Sequence, residues 1–114
     1  MKKNSATLKE TFSAAVQYYK QKDYESAKSC CYKILNVDSN HLDSLSMLAM
    51  ILGIKGSFEE AKKYLLRALE ISPKNISILI NLGNANRELR KFEEATKYFQ
   101  KVIEIDPKNI NAHY

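Results

Sequence analysis

Apolar positions recur along this chain with a helical period, and the helical stretches come in pairs. After Leu42, the residues Leu45, Leu48, Ala49 and Leu52 fall at i, i+3, i+4 and i+7, which puts them on one face of a helix. Gly56-Ser57 then breaks the pattern. Ser57 followed by Glu60 predicts a capping box that opens a second helix. That helix carries Ala61, Tyr64, Leu65, Ala68 and Leu69 on one face, and Pro73, which cannot continue a helix, ends it near Ser72. The next pair reads Leu79, Leu82, Gly83 and Asn86, then Phe92, Ala95, Phe99, Val102 and Ile103. The preceding pair reads Thr11, Ala14, Ala15 and Tyr18, then Tyr24, Ala27, Cys31, Ile34 and Leu35, with Thr7 and Glu10 as a capping box for its first helix.

The pairs repeat at a fixed interval. Phe58-Glu59-Glu60-Ala61 returns as Phe92-Glu93-Glu94-Ala95, and Pro73-Lys74-Asn75 as Pro107-Lys108-Asn109, each 34 residues later. Residues 42–75 and 76–109 are identical at 13 of 34 positions without a gap. Residues 8–41 fit the same frame more loosely, with Tyr24-Glu25-Ser26-Ala27 in register and Ser39 in place of the proline. A fourth copy begins at Ile110 and stops at Tyr114.

Small side chains hold fixed places in the repeat. Ala15, Ala49 and Gly83 share one position, and Ala27, Ala61 and Ala95 another. A small residue lets two helix backbones approach, and bulky neighbours such as Leu48, Leu82, Phe58 and Phe92 fill the flanking space. One helix pair cannot bury its own apolar face, whereas about three stacked pairs can.

The third unit reads Leu79-x2-Leu82-Gly83-x2-Asn86, then Ala95-x3-Phe99, then Pro107. The second reads Leu45-x2-Leu48-Ala49-x2-Leu52, then Ala61-x3-Leu65, then Pro73. This series resembles the tetratricopeptide repeat family over residues 8–114. Departures are Asn86 where the family has Tyr, and Thr11 and Ser39 in unit one, which loosen packing locally. The resemblance implies a single all-α domain over residues 1–114. It would be a right-handed solenoid of antiparallel helix pairs with repeats 8–41, 42–75 and 76–109 and a truncated fourth at 110–114.

Composition agrees with a folded helical protein. Of the 114 residues 45% are hydrophobic and 27% charged, and three Gly and two Pro leave room for long helices. No apolar stretch follows Met1-Lys2-Lys3-Asn4-Ser5, so no signal peptide is expected, and none approaches the roughly 18 residues of a membrane span. The net charge of +5 comes from dispersed Lys and Arg, usually with Glu nearby, which describes a solvated surface rather than a nucleic-acid or membrane stripe. Cys30 and Cys31 are adjacent, poorly placed for a mutual bridge, and fit reduced thiols in the cytoplasm. His41 and His113 lack the spacing of a zinc site, and no cofactor is implied.

Catalytic patterns are not evident. The acid pairs Glu59-Glu60 and Glu93-Glu94 lie in first turns, where negative charge is favoured, and Glu59 and Glu93 precede Lys63 and Lys97 by four residues. Tyr18, Tyr19, Tyr24, Tyr32, Tyr64 and Tyr98 sit mostly at positions that pack between helices, which argues against base stacking.

In the resembled family the first helices line a concave groove that holds a peptide or helix. Carried over, the groove gives Phe12, Val16 and Tyr19 in unit one, Met47, Met50 and Ile54 in unit two, and Ile80, Asn81, Asn84 and Arg87 in unit three. One subclass grips acidic chaperone tails with a carboxylate clamp of Lys, Asn and Arg. The matching positions Phe12, Val16, Met47, Ser77 and Asn81 do not supply it, and a frame shifted by one unit recovers only Asn81. A second subclass, the superhelical arm of O-linked sugar transferases, uses an asparagine ladder, of which Ser13, Met47 and Asn81 keep one rung. What remains is an apolar groove centred on Met47, Met50 and Ile54, suited to varied shapes.

The resemblance therefore implies a protein-binding scaffold that is not itself an enzyme. Its partner would be a protein or peptide, not nucleic acid or membrane. The alternative is the N-terminal arm of a larger glycosyltransferase or sulfotransferase. The face of the third unit's second helix, with Phe99, Val102, Ile103 and Ile105, is expected to be covered by further repeats, by a second copy of the chain, or by Ile110 and Tyr114 folding back on it.

Overall fold

The computed structural model describes residues 3–109. It contains six helices: α1 (Lys3–Lys20), α2 (Tyr24–Val37), α3 (Leu42–Ile54), α4 (Phe58–Ile71), α5 (Ile76–Glu88) and α6 (Phe92–Ile105). No strand occurs among the described residues. The helices form three hairpins, α1–α2, α3–α4 and α5–α6, stacked through α2–α3 and α4–α5 contacts, with α3 also touching α5. The fourth unit expected at 110–114 lies outside the described residues.

Caps and turns show why the chain breaks where it does. Asp23, His41 and Asn75 cap α2, α3 and α5, each accepting from the backbone N–H three residues on, at 3.2, 3.2 and 3.1 Å. The two capping boxes expected from sequence are not formed. Ser57 stands at the start of α4 but makes no side-chain cap bond. Thr7 lies inside α1, where its carbonyl accepts from the Thr11 hydroxyl at 2.8 Å.

Within each hairpin the turn is the same. Lys22, Gly56 and Arg90 share one repeat position, and all three adopt left-handed backbone, with φ of 63°, 82° and 64°. The following N–H closes each turn on a carbonyl five residues back: Asp23 on Tyr18, Ser57 on Leu52 and Lys91 on Asn86, all at 2.8 Å. Left-handed backbone costs an L-residue roughly 1–2 kcal/mol. The freedom glycine gains in the unfolded chain offsets about 0.5–1 kcal/mol of that. Arg90→Gly is therefore expected to raise stability by roughly 0.5–1 kcal/mol in denaturant unfolding. A fall in stability would mean that the Arg90 side chain itself holds the turn.

The core runs along the stack. Cys31, Leu45, Leu48, Ala49, Leu52, Ala61, Leu65, Ala68, Ile78 and Leu82 form one buried cluster drawn from all three hairpins. Leu79, Ala95, Phe99 and Val102 form a second in the last hairpin. Of the bulky residues expected to fill space beside the small ones, Leu48 and Leu82 are fully buried and Phe58 is half-buried, whereas Phe92 is exposed. Asn86 is buried where unit two has Leu52; its amide donates to the Leu82 carbonyl at 2.9 Å, and its Oδ1 finds no partner. Glu59 pairs with Lys91 of the next hairpin at 3.6 Å rather than with Lys63, so the acid at the start of α4 bridges two units. Glu25 pairs likewise with Lys55.

Candidate functional site

The first helices α1, α3 and α5 lie along one side of the stack, and an open pocket of about 240 Å³ sits there between the second and third hairpins. Ala49, Met50, Gly53 and Ile54 of α3 form one wall, and Asn81, Asn84 and Ala85 of α5 the other. Phe58, Ala61 and Leu65 of α4 also line it, and Tyr19 of α1 reaches it from the first hairpin. Met50 is 42% exposed and Ile54 54%, so large apolar side chains stand in water at its mouth.

The local sequence explains the opening. Counting by the 34-residue period, Gly53 stands where unit one has Tyr19 and unit three has Arg87. A Cβ built on Gly53 meets nothing within 4 Å, so the space beside it is open. Ala49 and Ala61, which let the helices of the second hairpin approach, supply shallow walls rather than filling side chains.

Of the ten lining residues expected from sequence, the structure brings five together around this pocket: Tyr19, Met50, Ile54, Asn81 and Asn84. The other five are placed elsewhere. Phe12 packs its ring against His41, centroids 5.5 Å apart. Val16 is half-buried on α1. Met47 packs against the larger core cluster and Ile80 against the smaller. Arg87 is exposed near the end of α5, outside the pocket lining. Sequence reasoning missed Gly53 and the contribution of α4. An expectation drawn from first helices alone could not reach Phe58, Ala61 or Leu65. The loss of bulk at Gly53, relative to Tyr19 and Arg87, was a usable signal.

The lining is chemically quiet. It holds no carboxylate, imidazole, thiol or amine; its polar groups are the Asn81 and Asn84 amides and the Tyr19 hydroxyl. Burial, and next the neighbouring Tyr24, push the Tyr19 hydroxyl above its ordinary range, so it stays neutral and can donate or accept. Such a lining can hold an apolar group and hydrogen-bond a main chain beside it. Cys31 lies away from the pocket, at the repeat position of Leu65 and Phe99. Burial, and then Cys30, push its thiol up to about 12, so it packs as a small apolar side chain. Among the other tyrosines, Tyr24, Tyr64 and Tyr98 are half-buried, while Tyr18 and Tyr32 are exposed beyond what a packed position requires. Among the described residues no helix is long and apolar enough to cross a membrane, and no group of three His, Cys, Asp or Glu side chains is placed to hold a metal ion.

Two family profiles, both described as tetratricopeptide repeat, match residues 42–108 and 12–41. The chain belongs to the tetratricopeptide repeat family. Solved structures share this fold. The chain superposes on an O-GlcNAc transferase of Thermobaculum terrenum with a TM-score of 0.89 at 24% identity. That match covers 99% of this chain but only 22% of the transferase. The second tetratricopeptide domain of human RPAP3, in complex with the HSP70 peptide SGPTIEEVD, gives a TM-score of 0.88 at 22% identity, covering 96% of this chain and 91% of that one. MamA of Desulfovibrio magneticus gives 0.87 at 20% identity, covering 93% and 60%. At these identities the likeness is one of fold.

Proposed function

We propose that this tetratricopeptide repeat chain is an interaction module that binds an extended peptide or helix of a partner protein along the α1–α3–α5 side. The observation that carries the reading is the apolar pocket beside Asn81 and Asn84, with Met50 and Ile54 exposed at its mouth. Exposed apolar side chains around a concavity favour association with an apolar ligand, and the two amides can fix a peptide backbone. Support comes from relatives of the same fold that hold peptides, one of them the RPAP3 domain with its HSP70 peptide. That peptide ends in two acids, a valine and an acid. The pocket here presents no cation to match it, so the ligand proposed is apolar in its central contact rather than an acidic tail.

An arm of a larger transferase would use the same groove for a protein substrate, and the lining favours neither setting over the other. A reducing compartment such as the cytoplasm is the setting proposed, supported by the free Cys30 and Cys31.

Selection from a random-peptide display library against the chain tests the reading. Met50→Glu is expected to keep the helical circular dichroism, because Met50 is exposed, and to weaken selected peptides by roughly 30-fold, as loss of an interface anchor does. Recovery of no peptide, or equal binding by Met50→Glu, would overturn the groove. Met47→Glu serves as the contrast: Met47 packs on the core, so its charge should cost helicity as well as binding.

A further inference from the structure

Two repeat positions carry an aromatic pair in unit one that units two and three lack. In unit one, Tyr19 places its ring edge-on to Tyr24, centroids 5.5 Å apart at an interplanar angle of 69°. In unit two the same two repeat positions are Gly53 and Phe58. The aromatic partner is retained and the ring that should meet it is missing. Gly53 has open space where a side chain would start, and the pocket beside it measures about 240 Å³. A dry cavity of about 150 Å³ is enough to hold a benzene ring, so a phenyl or phenol group fits here with room to spare.

We infer that Gly53 makes this pocket a socket for one aromatic side chain of the bound peptide, which takes the place that the Tyr19 ring holds in unit one and meets Phe58 edge-on. Asn81 and Asn84, both on the α5 wall, then stand beside the ligand backbone next to that anchor. Edge-to-face aromatic pairs add to the gain from burial alone, which gives a preference for Phe, Tyr or Trp over an aliphatic residue of like size. Gly53 is thus the specificity-determining position of the groove. The inference rests on the peptide-binding reading, but it fails separately from it.

The test uses the whole chain and two probes. Peptides selected from the random library should share one aromatic position, and Gly53→Tyr should weaken them by roughly 30-fold, because the chain then fills the socket with its own ring. In parallel, N-acetyltyrosinamide titrated into the wild-type chain should shift the amide resonances of Gly53, Phe58 and Asn84, and N-acetylleucinamide should shift them less. This second measurement needs no variant, so it decides even if Gly53→Tyr folds poorly. Selected peptides that lack a common aromatic residue, or that bind Gly53→Tyr as well as wild type while Met50→Glu rejects them, overturn the socket and leave the groove standing. If no peptide is selected, the groove reading falls, and the socket falls with it unless N-acetyltyrosinamide moves those three resonances.

Discussion

Ala61→Leu and Ala95→Leu are each expected to cost roughly 1–3 kcal/mol, the range for forcing extra methylenes into a packed core. Ala27, Ala61 and Ala95 occupy one repeat position, and they are 0%, 2% and 4% exposed. Each lies on the first turn of a second helix, where that helix leaves its hairpin turn and presses against the first. A leucine there must push the two helices apart, and the same displacement opens the contacts of Leu65 or Phe99 one turn on. For a domain of this size a loss of 1 kcal/mol lowers the melting temperature by roughly 4 °C, so calorimetry resolves it easily. The two costs should differ. Ala61 borders the open pocket, so part of its leucine can enter that space, and Ala95→Leu should be the more damaging. Either variant melting at the wild-type temperature would contradict close helix approach at this position.

The 34-residue period and the two helical faces per unit were legible because they are properties of spacing: each buried stripe returns at i, i+3, i+4 and i+7. Much of the core was therefore readable. What spacing did not show was the second buried side of the middle helix. α3 packs against α2, α4 and α5 at once, so Ser44 and Ile51 are as buried as Leu45 and Leu48. A one-face reading assigns such residues to solvent. The same limit explains the divided outcome at the groove. Met47 and Met50 are adjacent members of one expected lining and lie only about 60° apart around the helix, but they sit at the edge of the buried face, so Met47 meets the core while Met50 turns to the pocket. The capping boxes were read from residue pairs alone. They were expected at α1 and α4 and do not form there, whereas the side-chain caps that do form stand at α2, α3 and α5 and belong to Asp23, His41 and Asn75, of which Asp23 and Asn75 are ordinary capping types and His41 is not. Left-handed Lys22 and Arg90 carry no local sequence signal; their conformation follows from sharing the turn position of Gly56.

Gly83→Ala is expected to destabilise the chain although alanine is the better helix former by about 1 kcal/mol. An added Cβ would lie 2.5 Å from two carbons of the Phe99 ring and 2.9 Å from a third. The ring is rigid and 8% exposed, packed with Leu79, Ala95 and Val102, so it cannot swing clear as a flexible side-chain end would. Relief requires the whole of α6 to shift, and the overpacking cost of roughly 1–3 kcal/mol meets or exceeds the gain in propensity. The other units show how the position is balanced. Ala15 goes with Cys31 and Ala49 with Leu65, whereas Gly83 goes with Phe99, so the one unit with an aromatic ring on the second helix is the one with no Cβ on the first. Phe99→Leu alone should also destabilise, by leaving a void beside Gly83. Together, Gly83→Ala and Phe99→Leu rebuild the pair that unit two already carries. The double variant should therefore be more stable than the sum of the single losses allows, with a favourable coupling of about 1–2 kcal/mol. Denaturant unfolding of the four proteins in the cycle measures that coupling directly. Strictly additive losses would show that the two positions do not share one volume, and the account of why glycine occupies position 83 would fail.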